Sequence, residues 1–165
     1  IYKVIKDLPT LNVEMKIRGP LKNEMEVDQK VVQPLDRNKW IQIHADEEYT
    51  LIVSLHRLGV KGSDYIYCRF PKPKNEGWFL TVGNQESGEL IGMKRINYKT
   101  SRSSHHLVLN APSKIGRLIY TIYLLSDGYI GLDQQYNIQL EVIDSIKDKR
   151  PLFTSLYESD YTKTV

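Results

Sequence analysis

The chain has 165 residues and a net charge of +3, from 23 Lys and Arg against 20 Asp and Glu. This length fits one domain with a self-sufficient core, since a chain of about 150 residues buries roughly two-thirds of its unfolded surface. The small positive excess is typical of a solvated surface. The pI of 8.8 lies below the value of about 9 that marks dedicated nucleic-acid binders.

The cellular compartment is indicated by residues that the chain lacks. Cys68 is its one cysteine and has no disulfide partner, and the chain has neither a secretory signal at its start nor an Asn-x-Ser/Thr acceptor. We therefore predict an intracellular protein of the nucleus or cytoplasm. The first residue is Ile1 rather than Met, which indicates a piece of a longer protein. Because no apolar run approaches about 18 residues, we expect no membrane contact.

The N-terminal third alternates between apolar and polar residues with a period of two, which predicts strands with one buried face. The first strand covers residues 11–18, and Gly19-Pro20 ends it. Residues 22–38 show no lasting period and are predicted as a long excursion or an added edge hairpin. Residues 40–44 and 49–56 alternate again, separated by a hairpin or a strand kink.

The middle of the chain begins with a loop over residues 59–76, because its prolines and glycines do not fit inside a sheet. Residues 77–83 are apolar and aromatic between two glycines, which predicts a central strand whose Trp78 fills the core. Further strands are predicted at residues 89–98, 106–110, 118–125 and 136–143.

These short strands, with turn signals between them and no helical stripe, predict an all-β antiparallel sandwich of seven or eight strands. The sandwich domain is expected to cover residues 11–146. Residues 1–10 are interpreted as a linker or the remnant of an upstream domain. Residues 147–165 are too polar to fold alone and are expected to form a flexible C-terminal tail.

Candidate catalytic and metal-binding residues show no recognised pattern. His44, His56, His105, His106 and Cys68 lack the spacing of a zinc site, and adjacent histidines on a strand point to opposite faces. Two aspartates around one loop are too few for calcium, so turn capping suits them better. Neither a nucleophile elbow nor a phosphate-binding loop is present. We predict a binding module that is not an enzyme and takes no metal, cofactor or small-molecule substrate.

Two sets of residues are candidates for binding. Aromatic residues on or near predicted strand faces would dock proteins, namely Phe79, Tyr123 and Tyr129. A basic set would hold phosphates of RNA or DNA beside aromatic rings, namely Arg69, Lys72, Lys74, Lys94 and Arg95, with Lys99 and Arg102 further along. The alternative interpretation of the basic set is a solvated edge that discourages strand pairing between molecules.

Three segments resemble one family, and their sequences are RFPKPKNEGWF (69–79), LIGMKR (90–95) and YTIYLLSDGYIGLDQQY (120–136). The third is the most specific and resembles the signature that closes the Sec-type unit of large Ski-like DExD/H-box helicases. The likeness covers residues 40–144. Within this family, Gly77-Trp78-Phe79 and the run from Leu132 to Tyr136 are more similar to the activating signal cointegrator branch than to the spliceosomal branch.

The resemblance implies an immunoglobulin or fibronectin type III-like sandwich at the C-terminal end of that unit. Such a module would brace the helicase cassette and dock protein subunits, or alternatively contact RNA or DNA. Its partners would include the upstream helicase domains of the parent chain, which would carry out ATP hydrolysis. The residues expected to form its structural signature are Trp78, Tyr120, Asp127, Gly131, Asp133 and Tyr136.

Overall fold

A computed structural model describes residues 8–21, 23–27, 40–58, 71–72, 74–97 and 100–146. Within these ranges the chain forms nine β-strands. Their bounds are β1 (Thr10–Arg18), β2 (Glu24–Val27), β3 (Ile41–His44), β4 (Glu48–Leu58), β5 (Gly77–Asn84), β6 (Glu89–Asn97), β7 (Arg102–Asn110), β8 (Gly116–Ser126) and β9 (Gln134–Ile143). The part of the chain described contains no helix that is long and apolar enough to cross a membrane.

The strands form two sheets that pack face to face. One sheet has the order β2-β1-β4-β7 and the other the order β3-β9-β8-β5-β6. Strands β1, β4 and β7 lie opposite β9, β8 and β5, which is the arrangement of the immunoglobulin fold. The predicted immunoglobulin-like all-β sandwich is therefore confirmed. The strand count exceeds the expected seven or eight because of β2, a four-residue strand in a segment that shows no lasting period.

The core follows from the period-two alternation. In β1 the side chains of Leu11, Val13, Met15 and Ile17 are buried, while their polar neighbours face solvent. The facing strand β5 contributes Trp78, which is a fully buried member of the apolar cluster. Burial of an indole of this size removes roughly 150 to 250 Å² from water, so Trp78 is a major contributor to the core.

Two details differ from the expectations. Residues 40–44 and 49–56 were expected to be joined by a hairpin or a strand kink, and the hairpin is wrong, because β3 pairs in parallel with β9 in one sheet whereas β4 pairs with β1 in the other. The chain changes sheets at a sharp corner where Asp46 has a φ of 58°. In the region 22–38, β2 pairs with β1 as an edge hairpin; the remainder, residue 22 and residues 28–38, lies outside the described ranges.

The two ends of the sandwich are defined by the strand directions. At the lower end β4 finishes and β5 begins, and the side chain of Arg57 in β4 meets Glu76 just before β5. Arg57 Nη2 donates to Glu76 Oε2 at 2.8 Å, and Trp78 Nε1 donates to Glu76 Oε1 at 3.0 Å. At the upper end β4 begins and β9 finishes, and Ala45 N donates to Ile143 O at 2.9 Å.

Candidate functional site

The outer face of the five-stranded sheet exposes apolar side chains. Trp78 and Leu80 point into the core, so Phe79 between them points outward, and it lies opposite Leu125 of β8. On the same face, Thr81 lies between Tyr123 of β8 and Met93 of β6. Met93 is 60% exposed and Tyr123 38% exposed. We call these outward residues the docking face: Phe79, Met93, Tyr123 and Leu125.

The loop between β8 and β9 borders the docking face at the lower end. Ser126 Oγ accepts hydrogen bonds from Gly128 N at 3.3 Å and Tyr129 N at 2.9 Å. Asp133 Oδ1 accepts one from Ser126 N at 2.9 Å, which closes the loop on itself. Tyr129 packs against the core and is half-buried, whereas the neighbouring Ile130 is fully exposed. The loop thus presents an aliphatic side chain that the sequence did not single out.

Asp127 joins this loop to the segment before β5, an arrangement we call the Asp127 clasp. Gly77 N donates to Asp127 Oδ1 at 3.1 Å, and Asp127 N donates to Gly77 O at 3.0 Å. Arg95 Nη2 donates to Asp127 Oδ2 at 2.6 Å, and Lys74 Nζ donates to Asp127 O at 2.9 Å. A side chain at Gly77 would place its Cβ 2.7 Å from Asp127 Oδ2, so any larger residue here would have to displace the Asp127 carboxylate.

Some of the predicted basic residues are bound to Asp127 and others are exposed. Arg69 lies outside the described ranges. Arg95 is held by the clasp with its guanidinium 5.8 Å from the centroid of the Phe79 ring, and Lys74 is bound to the same aspartate. Lys72 and Lys94 are exposed. The structure therefore brings the described members of the set to the lower end, and the clasp fixes two of them.

The predicted signature residues lie in the core or in the loop after β8. Trp78, Tyr120 and Tyr136 are buried, and burial raises the pKa of the Tyr120 and Tyr136 hydroxyls. Gly131 turns the loop with a φ of 81°, a conformation that glycine adopts without strain. Asp127 and Asp133 accept the backbone hydrogen bonds described above. The family-like sequence therefore folds into a strand and loop that anchor the lower end.

Comparison with known families follows from this architecture. The sequence profile described as "Sec63 Brl domain" matches residues 2–139. The chain belongs to the Sec63 Brl domain family. This confirms the resemblance to a helicase-associated Sec-type unit at the level of the family, and the match begins well before residue 40, where the sequence likeness was expected to start.

Curated relatives of this Sec63 Brl domain are much longer proteins. Activating signal cointegrator 1 complex subunit 3 of Homo sapiens is 40% identical over 153 residues, which cover 86% of this chain and 7% of that protein. The U5 small nuclear ribonucleoprotein 200 kDa helicase of Drosophila melanogaster is 31% identical over 103 residues, covering 62% of this chain and 5% of that protein. A CARDB domain from Pyrococcus furiosus, 12% identical, covers 84% of this chain and 97% of its own with a TM-score of 0.48.

Histidines of the Sec63 Brl domain are distributed rather than clustered. His105 is half-buried on the inner side of β7 and His106 is exposed on the outer side. His105 Nε2 lies 2.9 Å from Ser103 Oγ. In the described part of the chain, no three His, Cys, Asp or Glu side chains form a group suited to a metal ion.

We expect the stability of the domain to fall as the pH drops below about 6.5, the ordinary pKa of histidine. Burial, and then the charges of Lys94 and His106, lower the pKa of His105. As the pH falls, the unfolded chain therefore binds a proton at His105 at a higher pH than the folded chain does. The His105 contribution is complete above the ordinary pKa and is lost as the pH falls towards the folded value. Thermal melts of His105→Gln between pH 5 and 8 should vary less with pH than wild type, whereas Ser104→Ala, on the exposed outer side of the same strand, should keep the wild-type slope. Equal slopes in all three proteins would contradict this assignment.

Proposed function

We propose that this Sec63 Brl domain is a non-catalytic accessory module of a large ATP-dependent nucleic-acid helicase. It braces the helicase cassette and docks protein partners, as the C-terminal immunoglobulin-like sandwich of a Sec-type unit. Support comes from the family and from its relatives, whose names include a helicase and a subunit of the activating signal cointegrator complex. The 40% identity to the latter favours that branch over the spliceosomal one at 31%.

The docking face is the observation that carries this proposal. Its side chains stand on three adjacent hydrogen-bonded strands, so their relative positions are fixed before a partner arrives. Tyr, Phe and Met are enriched in protein interfaces, where large side chains remove apolar area from water. The Arg95 guanidinium beside Phe79 adds a planar cation at the border, a residue type also enriched in interfaces. A rigid apolar face with a polar border suits contact with another folded protein.

We expect the double substitution Met93→Ala and Tyr123→Ala to weaken binding to the remainder of the parent helicase, supplied in trans, by about tenfold or more. Loss of buried apolar contacts at an interface centre costs more than about 1.4 kcal/mol, which corresponds to that factor. Isothermal titration calorimetry measures the affinity. Because the contact is apolar, the affinity should change little between low and moderate salt.

The matched control is Val108→Ala, since Val108 is a 54% exposed residue on the outer face of the opposite sheet. It should bind as wild type does. The docking-face assignment fails if the double variant and the control bind equally well. It also fails if the wild-type domain shows no affinity for the remainder of the helicase or for purified subunits of its complex.

A further inference from the structure

Charged side chains of the described residues are distributed unevenly between the two ends of the sandwich. The turns of the upper end connect β1 to β2, β3 to β4, β5 to β6 and β7 to β8. The residues in and beside them carry more carboxylates than cations. The carboxylates are Glu24, Asp46, Glu47, Glu48, Glu86, Glu89, Glu141 and Asp144, and the cations are Arg18 and Arg117, which pair with Glu24 and Glu141, and Lys114. A polyanion is repelled from this end.

The lower end has the opposite character. Cations stand on the segment before β5, on the last part of β6 and on the first residue of β7. We call them the basic rim: Lys72, Lys74, Lys94, Arg95 and Arg102. The start of β7 is fixed to the other sheet, because Arg57 N donates to Ser101 O at 2.8 Å. Strands β6 and β7, which are edge strands of the two sheets, contact each other. The rim therefore follows the corner from one sheet to the other.

The rim is held in place by the carboxylate at its inner side. Asp127, only 9% exposed, binds both Lys74 and Arg95, so it neutralises part of their charge while it fixes their positions. Their outward parts stay accessible, at 36% and 49% exposure. Within the described residues, Lys72, Lys94 and Arg102 form no ion pair with a carboxylate. Positive charge thus prevails along the rim.

The side chains around the rim favour a phosphate over an acidic protein segment. Between Lys94 and Arg102, the exposed described residues other than Arg95 are Asn97, Thr100 and Ser101. Amide and hydroxyl groups are the usual companions of Lys and Arg at phosphate oxygens. An acidic protein segment would need apolar surface for its anchor residues, and the described residues between Lys94 and Arg102 expose none.

We propose that the basic rim is a contact site for the phosphate backbone of single-stranded nucleic acid. A line of cations that turns a corner fits a flexible strand, whereas a duplex with a persistence length of about 150 base pairs does not follow it. The acidic upper end orients the strand towards the rim. This surface meets the docking face at Arg95, beside Phe79, and the proposal stands whether or not the docking face binds protein.

The test measures binding of a 5′-labelled 20-nucleotide oligouridylate to the 165-residue chain by fluorescence anisotropy, from about 20 to 200 mM salt. With about three phosphates neutralised, the slope of log K against log salt is expected to be roughly −2. Each of Lys72→Glu, Lys94→Glu and Arg102→Glu should weaken binding and make that slope shallower by about 0.7. The triple variant should lose at least about tenfold in affinity.

Lys114→Glu is the control, because it changes the net charge by the same amount as each single rim reversal and lies at the upper end. It should bind nearly as wild type does, and thermal melts establish that all variants fold. The proposal is overturned if wild type does not bind at low salt, or if the triple variant binds as the control does. Equal competition by polyglutamate of matched length would assign the rim to acidic proteins instead.

Discussion

Replacing Glu76 by Ala is expected to lower the free energy of unfolding by about 3 to 5 kcal/mol, the cost of leaving a buried charge without its partner. Glu76 is 1% exposed and pairs with Arg57, whose side chain is 6% exposed. Its carboxylate also accepts the indole N–H of Trp78 at 3.0 Å. The substitution therefore leaves two donors buried inside the sandwich. Urea unfolding followed by tryptophan fluorescence measures the loss.

Two further variants separate charge from hydrogen bonding. Glu76→Gln keeps an acceptor for the indole but removes the charge opposite Arg57. Its free energy of unfolding should therefore lie between those of wild type and Glu76→Ala. The double variant Arg57→Met, Glu76→Met removes both charges and should be more stable than Glu76→Ala, because no unpaired ion remains. A single variant as stable as wild type would show that water reaches this pair and screens it.

The sequence predicted most strands because their alternation is local. The limits of β7 show where this fails: the strand begins at Arg102, four residues before the predicted start at residue 106. Its inward positions at that end are Ser103 and His105, which are polar because β7 lies near the edge of the sandwich. An apolar period cannot mark a strand end that does not enter the core.

Pairings between distant segments were hidden for a different reason. Residues 41–44 alternate as strongly as a hairpin strand would, yet β3 pairs with β9 about a hundred positions later in the chain. Glu76 reads as one polar residue of a loop, and only the fold brings it to Arg57, 19 positions away. Local sequence patterns indicate where strands lie and which of their faces is buried. The order of strands in a sheet depends on contacts between distant segments, which a short stretch of sequence does not include.

The residues of the candidate site were likewise only partly predictable from the sequence. Residue type alone was enough to propose Phe79 and Tyr123, because an aromatic residue next to an inward neighbour on a strand must point outward. The sequence could not show which basic residues are held by a carboxylate and which are exposed, because the carboxylate that binds Arg95 lies 32 positions away. Ile130 escaped notice because its exposure depends on how Tyr129 anchors the loop.

Replacing Asp127 by Ala is expected to change stability and anion binding in opposite directions. Gly77 N loses its acceptor and Arg95 its partner, which should lower the free energy of unfolding by about 1 to 3 kcal/mol, the cost of leaving a buried donor unsatisfied. Removing this negative charge raises the net positive charge of the basic rim beside Lys74 and Arg95. The oligouridylate affinity should therefore rise, by about fivefold if the charge contributes about 1 kcal/mol.

Asp127→Asn isolates the charge, because its amide oxygen still accepts the hydrogen bond from Gly77 N. This variant should keep most of the stability and gain nearly the same affinity. A parallel loss of stability and affinity in both variants would mean that the clasp positions the cations and that its charge matters little. Unchanged affinity in both would place the phosphate contacts away from Lys74 and Arg95, on the part of the rim formed by Lys94 and Arg102.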